Sequence, residues 1–205
     1  MALIFDTETN GLPICKSYSE FPCYTDLSKY NSARLVQISY ILTDNSFNKL
    51  EESDDIIKAD NFKITNTQFH GITDEISYNQ GIPFIEFAKK LNNTLDFVDT
   101  LIAHNINFDI NVLRAELYRY NLLDIIIKLD SKKMICTMQY TKYIVCSKFK
   151  SGTGIKDPSL KELYQFFMKK EITNQHNSKY DTFNLWCILK VMFGLNVINL
   201  NDNKS

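Results

Sequence analysis

Apolar and polar positions alternate along this chain in two rhythms, one of period two and one of period 3.6, and the switch between them predicts its elements. Ala2 to Asp6 is an unbroken apolar run ending on an acid, which reads as a short buried strand. Ala33 to Asp44 reads as a longer strand rich in β-branched and aromatic residues, and Lys49 to Lys58 as a third despite its acidic run. A polar, tyrosine-rich loop separates the first two. From Pro83 onward, Phe84, Phe87, Ala88, Leu91 and Leu95 recur at helical spacing, so a helix opens on proline and ends near Val98. Thr100 to Ala103 predicts a fourth strand that runs directly into a helix. The stripe of that helix is Phe108, Val112, Leu113 and Leu117, with Asn107 as its N-cap. Lys133 to Thr137 supplies a fifth short strand, and the stretches from Ser159 to Phe167 and from Lys179 to Phe193 read as helices.

Strands come first and then alternate with helices, an order that implies an α/β chain with a mixed five-stranded sheet flanked by helices. At 205 residues and 44% hydrophobic content, one substantial core is expected. It should form a single domain over residues 1–198, followed by a polar tail at 199–205. The N-terminus has no basic start before its apolar stretch, so no signal peptide is expected, and the longest late apolar run, Leu185 to Leu200, is interrupted by Lys190 and several asparagines, so no membrane span is expected. Five cysteines in odd number, with no C-x-x-C pair, argue against a disulfide framework or a zinc knuckle and favour a reducing, intracellular, cytoplasmic setting.

A net charge of −1 excludes the strongly basic character of a protein that grips duplex DNA mainly by charge. The charge is uneven, however. Between Lys128 and Lys170 ten lysines face three acids, which makes this segment the candidate for phosphate contacts, with a solvated lysine-rich surface as the plain alternative.

Three stretches carry candidate chemistry. In FDTETNGL, Asp6 and Glu8 leave the same face of a strand, where like charges repel unless a cation or a shared proton sits between them. Hard divalent cations prefer such oxygen ligands, although acid pairs are also common on exposed strands. In HNINFD, Asp109 falls in the first turn of its helix, where the dipole alone favours an acid. His104 reads equally as a partly buried, hydrogen-bonded residue, and Asn105 as a turn cap or a phosphate holder. In HNSKYD, His176 and Asp181 lie about 140° apart around a continuous helix, so His176 must precede the helix or curl over its first turn if the two are to meet. With three scattered histidines and no i, i+4 pair, a zinc hydrolase lacks a ligand set.

Taken in order, FDTETNGL, HNINFD and H-x-x-x-x-D resemble the three exonuclease motifs of the DEDD superfamily, histidine subclass, the DnaQ-like group that includes proofreading subunits of bacterial replicases. RLVQISY (Arg34 to Tyr40) and FHGIT (Phe69 to Thr73) are also similar to this group, so nearly the whole chain is covered. The resemblance implies an RNase H-like fold and metal-dependent 3′-to-5′ hydrolysis of nucleic acid, releasing nucleoside 5′-monophosphates. By that match Asp6, Glu8, Asp109 and Asp181 hold two divalent ions, Mg2+ or Mn2+, and His176 is the general base. Thr9, Leu12, His70, Asn105 and Phe108 are carried over as contacts to the terminal nucleotide. The expected partner is the 3′ end of nucleic acid, single-stranded DNA ahead of RNA, with an RNA-trimming exoribonuclease as the alternative. A catalytically silent nucleic-acid-binding domain is disfavoured because all four acids and the histidine are present. A polymerase partner or a homodimer is left undetermined. Two features depart from the group: the long tyrosine-rich loop from Pro13 to Ser32, and the bulky Lys179-Tyr180 pair before the last acid.

Overall fold

The computed structural model describes residues 1–17, 20–172 and 177–200. Five strands form one sheet: β1 (Ala2–Thr9), β2 (Leu35–Thr43), β3 (Lys49–Ile56), β4 (Thr100–Ala103) and β5 (Lys133–Cys136). Their order is β3-β2-β1-β4-β5. The pairs β1–β2 and β2–β3 are antiparallel, and β1–β4 and β4–β5 are parallel, so the sheet is mixed as the pattern predicts. Among the described residues the helices are α1 (Thr67–His70), α2 (Asp74–Gln80), α3 (Phe84–Leu95), α4 (Ile106–Arg119), α5 (Leu123–Asp130), α6 (Thr137–Val145), α7 (Leu160–Met168) and α8 (Ser178–Gly194), and a 3-10 turn covers Leu27–Tyr30.

The central strand explains both cores. On β1, Leu3 and Phe5 point to one face and pack with α3, α4 and α5 through Phe87, Leu91, Ile110, Leu113 and Leu129. Ala2 and Ile4 point to the other face and pack with α7 and α8 through Leu163, Leu185, Ile188 and Met192. A strand covered on both faces has no polar side to show, hence its continuous apolar run. No helix among the described residues is long and apolar enough to cross a membrane, and the five cysteines are free thiols.

Two local expectations are corrected. The first strand extends past Asp6 to Thr9 because its antiparallel partner β2 continues beside it to the Thr9–Leu35 pair, whereas the parallel partner β4 stops at the Ile4–Ile102 pair. The N-cap of α4 is Asn105 rather than Asn107. Asn105 adopts a left-handed conformation (φ 71°), which turns the chain from β4 into the helix within two residues, and it makes no side-chain capping bond. Asparagine is one of the few residues that tolerates this region. The helix at α7 starts on a full capping box, with Ser159 and Glu162 each bonding the other's backbone.

Candidate active site

The overshoot of β1 past β4 creates the site. Beyond Ile4, one edge of β1 has no parallel neighbour, and the even-numbered side chains that carried the α8 core continue as Asp6 and Glu8. α8 presents Asp181 to them from its first turn. Carboxylate oxygens of Asp6, Glu8 and Asp181 all lie within 4.8 Å of one another.

Asp109 arrives from the opposite layer. It sits in the first turn of α4, is 2% exposed, and accepts from the Thr7 backbone N–H at 3.0 Å and the Thr7 hydroxyl at 2.7 Å. Thr7 is the odd-numbered residue between the two acids, so it points toward α4 while Asp6 and Glu8 point toward α8. One strand thereby gathers acids from both helical layers.

Such crowding is electrostatically unfavourable. Burial, reinforced by Asp109, Asp181 and Glu8, holds the Asp6 carboxyl well above the usual carboxylate range. Burial first, then Asp181 and Asp109, pushes Glu8 up to about 8. Burial also pushes Asp109 up to about 7 against the pull of the two Thr7 hydrogen bonds. A cluster of oxygen donors that resists ionisation fits a hard divalent cation, whose charge would reverse that penalty.

Beside Glu8 a groove of about 530 Å³ is lined by Thr7, Glu8, Thr9, Leu12, Phe69 and Phe108, among others. Leu12 is 73% exposed and Phe69 61% exposed, so apolar surface faces the groove from two sides. Phe108, part of the apolar stripe of α4, is partly buried against the core, packs edge-on against Phe21 and also lines the groove. Thr9 donates its hydroxyl to Gly11 O at 2.6 Å, which tightens the turn after the β1 irregularity. His70 also lines the groove, but both of its nitrogens are engaged: Nδ1 accepts from the Ile72 N–H at 3.1 Å, so Nε2–H donates to Thr65 O at 3.3 Å.

Phe69 carries no groove signal in the sequence, although it precedes His70 in FHGIT, because exposure of an aromatic on a four-residue helix leaves no periodic pattern. His104 takes its plain alternative. Its Nε2–H donates to Pro158 O at 2.9 Å and its Nδ1 lies 3.1 Å from the Thr137 hydroxyl. The lysine-rich segment is less cationic than its composition: Lys128, Lys142, Lys156 and Lys161 pair with Asp96, Asp157, Glu162 and Glu171. His176 lies outside the described residues.

Comparison with known proteins agrees with this arrangement. The sequence profile of the RNase T-type exonuclease family matches residues 3–189. No curated protein resembles the chain closely enough in sequence to count as a match. Among solved structures, exonuclease X in complex with 5′-overhanging duplex DNA is 18% identical with a TM-score of 0.60, over 97% of this chain and 95% of that one. Escherichia coli exonuclease I in complex with a dT13 oligonucleotide is 20% identical with a TM-score of 0.70, over 93% of this chain and 40% of that one. Exonuclease I from Methylocaldum szegediense is 19% identical with a TM-score of 0.69, again over 93% and 40%. This chain thus spans about two fifths of the exonuclease I chains, and at these identities the likeness shows the RNase H-like fold.

Proposed function

The chain belongs to the RNase T-type exonuclease family, within the DEDD superfamily of 3′-to-5′ exonucleases, and on that premise we propose that it degrades single-stranded DNA from the 3′ end by a two-metal mechanism. The observation that carries the reading is the convergence of Asp6, Glu8 and Asp181 within 4.8 Å, with Glu8 also lining an apolar groove. Family membership implies dependence on a divalent metal. Two ions, Mg2+ or Mn2+, held by Asp6, Glu8, Asp109 and Asp181, would supply Lewis acidity and neutralise the charge that builds on the scissile phosphate.

The protein's own groups do the rest. Leu12, Phe69 and Phe108 receive the terminal base, which an unpaired end delivers without unstacking a duplex. Thr9 and Asn105 complete the contacts to the terminal nucleotide, and His70, with both ring nitrogens engaged, borders it as groove wall. An imidazole nitrogen of His176 takes a proton from the attacking water. The water oxygen bonds to phosphorus, the P–O3′ bond breaks, and the electron pair leaves with the 3′ oxygen of the shortened strand. A nucleoside 5′-monophosphate is released. The choice of DNA over RNA is supported by exonuclease I having been solved with single-stranded DNA and exonuclease X with an overhanging duplex.

The test uses matched DNA and RNA oligonucleotides labelled at either end, incubated with Mg2+ or Mn2+ and then with chelator. The 5′-labelled DNA should shorten one nucleotide at a time, faster than RNA, and stop when metal is removed. Internal cuts or activity in chelator would refute the mechanism; faster trimming of RNA would refute the substrate.

A further inference from the structure

Asp54 of β3 lies in register with Ser39 of β2, and Ser39 with Asp6 of β1. The three side chains therefore share one face of the sheet, the face that α8 covers. Asp54 Oδ1 accepts from Gln37 Nε2 at 2.7 Å and from the Ser39 hydroxyl at 2.8 Å. Ser39 has one proton and gives it to the carboxylate, so the 2.7 Å contact between the Ser39 and Ser178 hydroxyls is donated by Ser178. Ser178 is the first residue of α8 and is fully buried. One turn later, Thr182 donates to Ser39 O at 3.3 Å.

These tertiary bonds fasten the first turn of α8 to β2 through its side chains. The N-cap residue Asn177 makes no side-chain capping bond, yet the turn it begins carries Asp181 into a group of like charges that repel it. The Ser178 and Thr182 bonds tie that turn to β2, outside the acid cluster. The ion pair between Lys179 and Asp54, 3.8 Å apart, is too exposed to serve as such a tie.

We infer that Asp54 is a positioning residue for the acid cluster: through Ser39 it orients the Ser178 hydroxyl, fixes the first turn of α8, and so sets Asp181 against Asp6 and Glu8. The functional part of this inference rests on the reading above that Asp181 holds a cation.

The experiment compares Asp54→Ala, which removes the acceptor, with Asp54→Asn, which keeps an oxygen able to accept from Ser39. Asp55→Ala is the control, because Asp55 bonds Ser53 and Lys90 and makes none of the Asp54 contacts. Two quantities are read without substrate: Mn2+ affinity by electron paramagnetic resonance, and hydrogen exchange of the Asp181 amide, which donates to Asn177 O at 3.0 Å. Asp54→Ala should weaken Mn2+ binding about fivefold and speed that exchange about tenfold, the scale of one lost hydrogen bond. Asp54→Asn should stay within about twofold of wild type in both, and Asp55→Ala should change neither, whatever it does to the melting temperature. Unchanged Asp181 exchange in Asp54→Ala, or equal losses in Asp55→Ala, would overturn the inference. Absence of Mn2+ binding in the wild type would instead refute the metal reading, leaving the exchange comparison to decide the positioning role on its own.

Discussion

Thr7 and Asp109, 102 positions apart in sequence, are joined by two hydrogen bonds to a single oxygen: the Thr7 backbone N–H at 3.0 Å and its hydroxyl at 2.7 Å both reach Asp109 Oδ1. That pair ties the α4 layer to the strand whose other face holds Asp6 and Glu8, and its two bonds are the largest influences opposing the burial that pushes this carboxyl toward protonation.

Replacing that hydroxyl tests its value. Thr7→Val keeps the side-chain volume and the backbone bond but deletes the 2.7 Å contact. The loss of one buried hydrogen bond to a carboxylate, about 1.5 to 3 kcal/mol, should lower kcat by roughly tenfold or more and weaken metal binding. Steady-state kinetics with a metal titration checks this, and wild-type kcat with wild-type metal dependence would show the bond to be dispensable.

The acid cluster should make the metal-free protein less stable as pH rises. Glu8 stands at about 8 and Asp109 at about 7 in the folded chain, both above ordinary carboxylate values. Between the unfolded and folded pKa values the native state holds more protons than the unfolded chain, so stability is lost as pH climbs through that window. Calorimetry in chelator should give a lower melting temperature at pH 8.5 than at pH 6, and added Mg2+ or Mn2+ should narrow the difference. Asp6→Asn should raise the metal-free melting temperature at pH 8.5 by a few degrees while abolishing turnover. A melting temperature that increases with pH in chelator would contradict the electrostatic account.

His104 predicts the opposite slope. Burial pulls its pKa to about 4, below the value near 6.5 expected in the unfolded chain. The unfolded state therefore binds more protons between those values, and the stability contributed by the neutral, doubly bonded imidazole is lost as pH falls from about 6.5 to 4. In thermal melts, His104→Gln should be less stable than wild type at pH 7, with the gap shrinking at pH 4.5. A constant gap would mean the ring does not stay neutral on folding.

His176→Ala should separate chemistry from binding. If His176 takes the proton from the attacking water, its loss should cut turnover by about two orders of magnitude or more while leaving Mn2+ and oligonucleotide affinity near wild type. Near-normal turnover would assign the proton to another acceptor.

Much of the architecture was readable from local pattern. The strand at Thr100–Ala103 and the starts of the helices after Pro83 and Ser159 follow from apolar period, proline and capping chemistry, all of which act within a few residues. The boundaries that failed depended on partners: β1 runs on to Thr9 because β2 pairs with it there, and Asn105 caps α4 because the chain must turn sharply out of β4. Composition also overstated the lysine-rich segment, since four of its lysines find acids, two of them beyond the segment, at Asp96 and Glu171.

By itself the sequence determined which functional groups are available and how each is presented locally: two acids on one strand face, an acid in the first turn of each of two helices, and the motif order that marks the family. Only the tertiary structure decided that Asp6, Glu8 and Asp181 meet on one face of β1 while Asp109 enters from the other through Thr7, that Phe69 faces the groove, and that His104 is bound to Pro158. Side-chain alternation and helix caps are set by neighbours a few positions away. Contacts between residues a hundred positions apart exist only once both faces of a central strand are covered, because burial selects which distant groups can come within bonding distance.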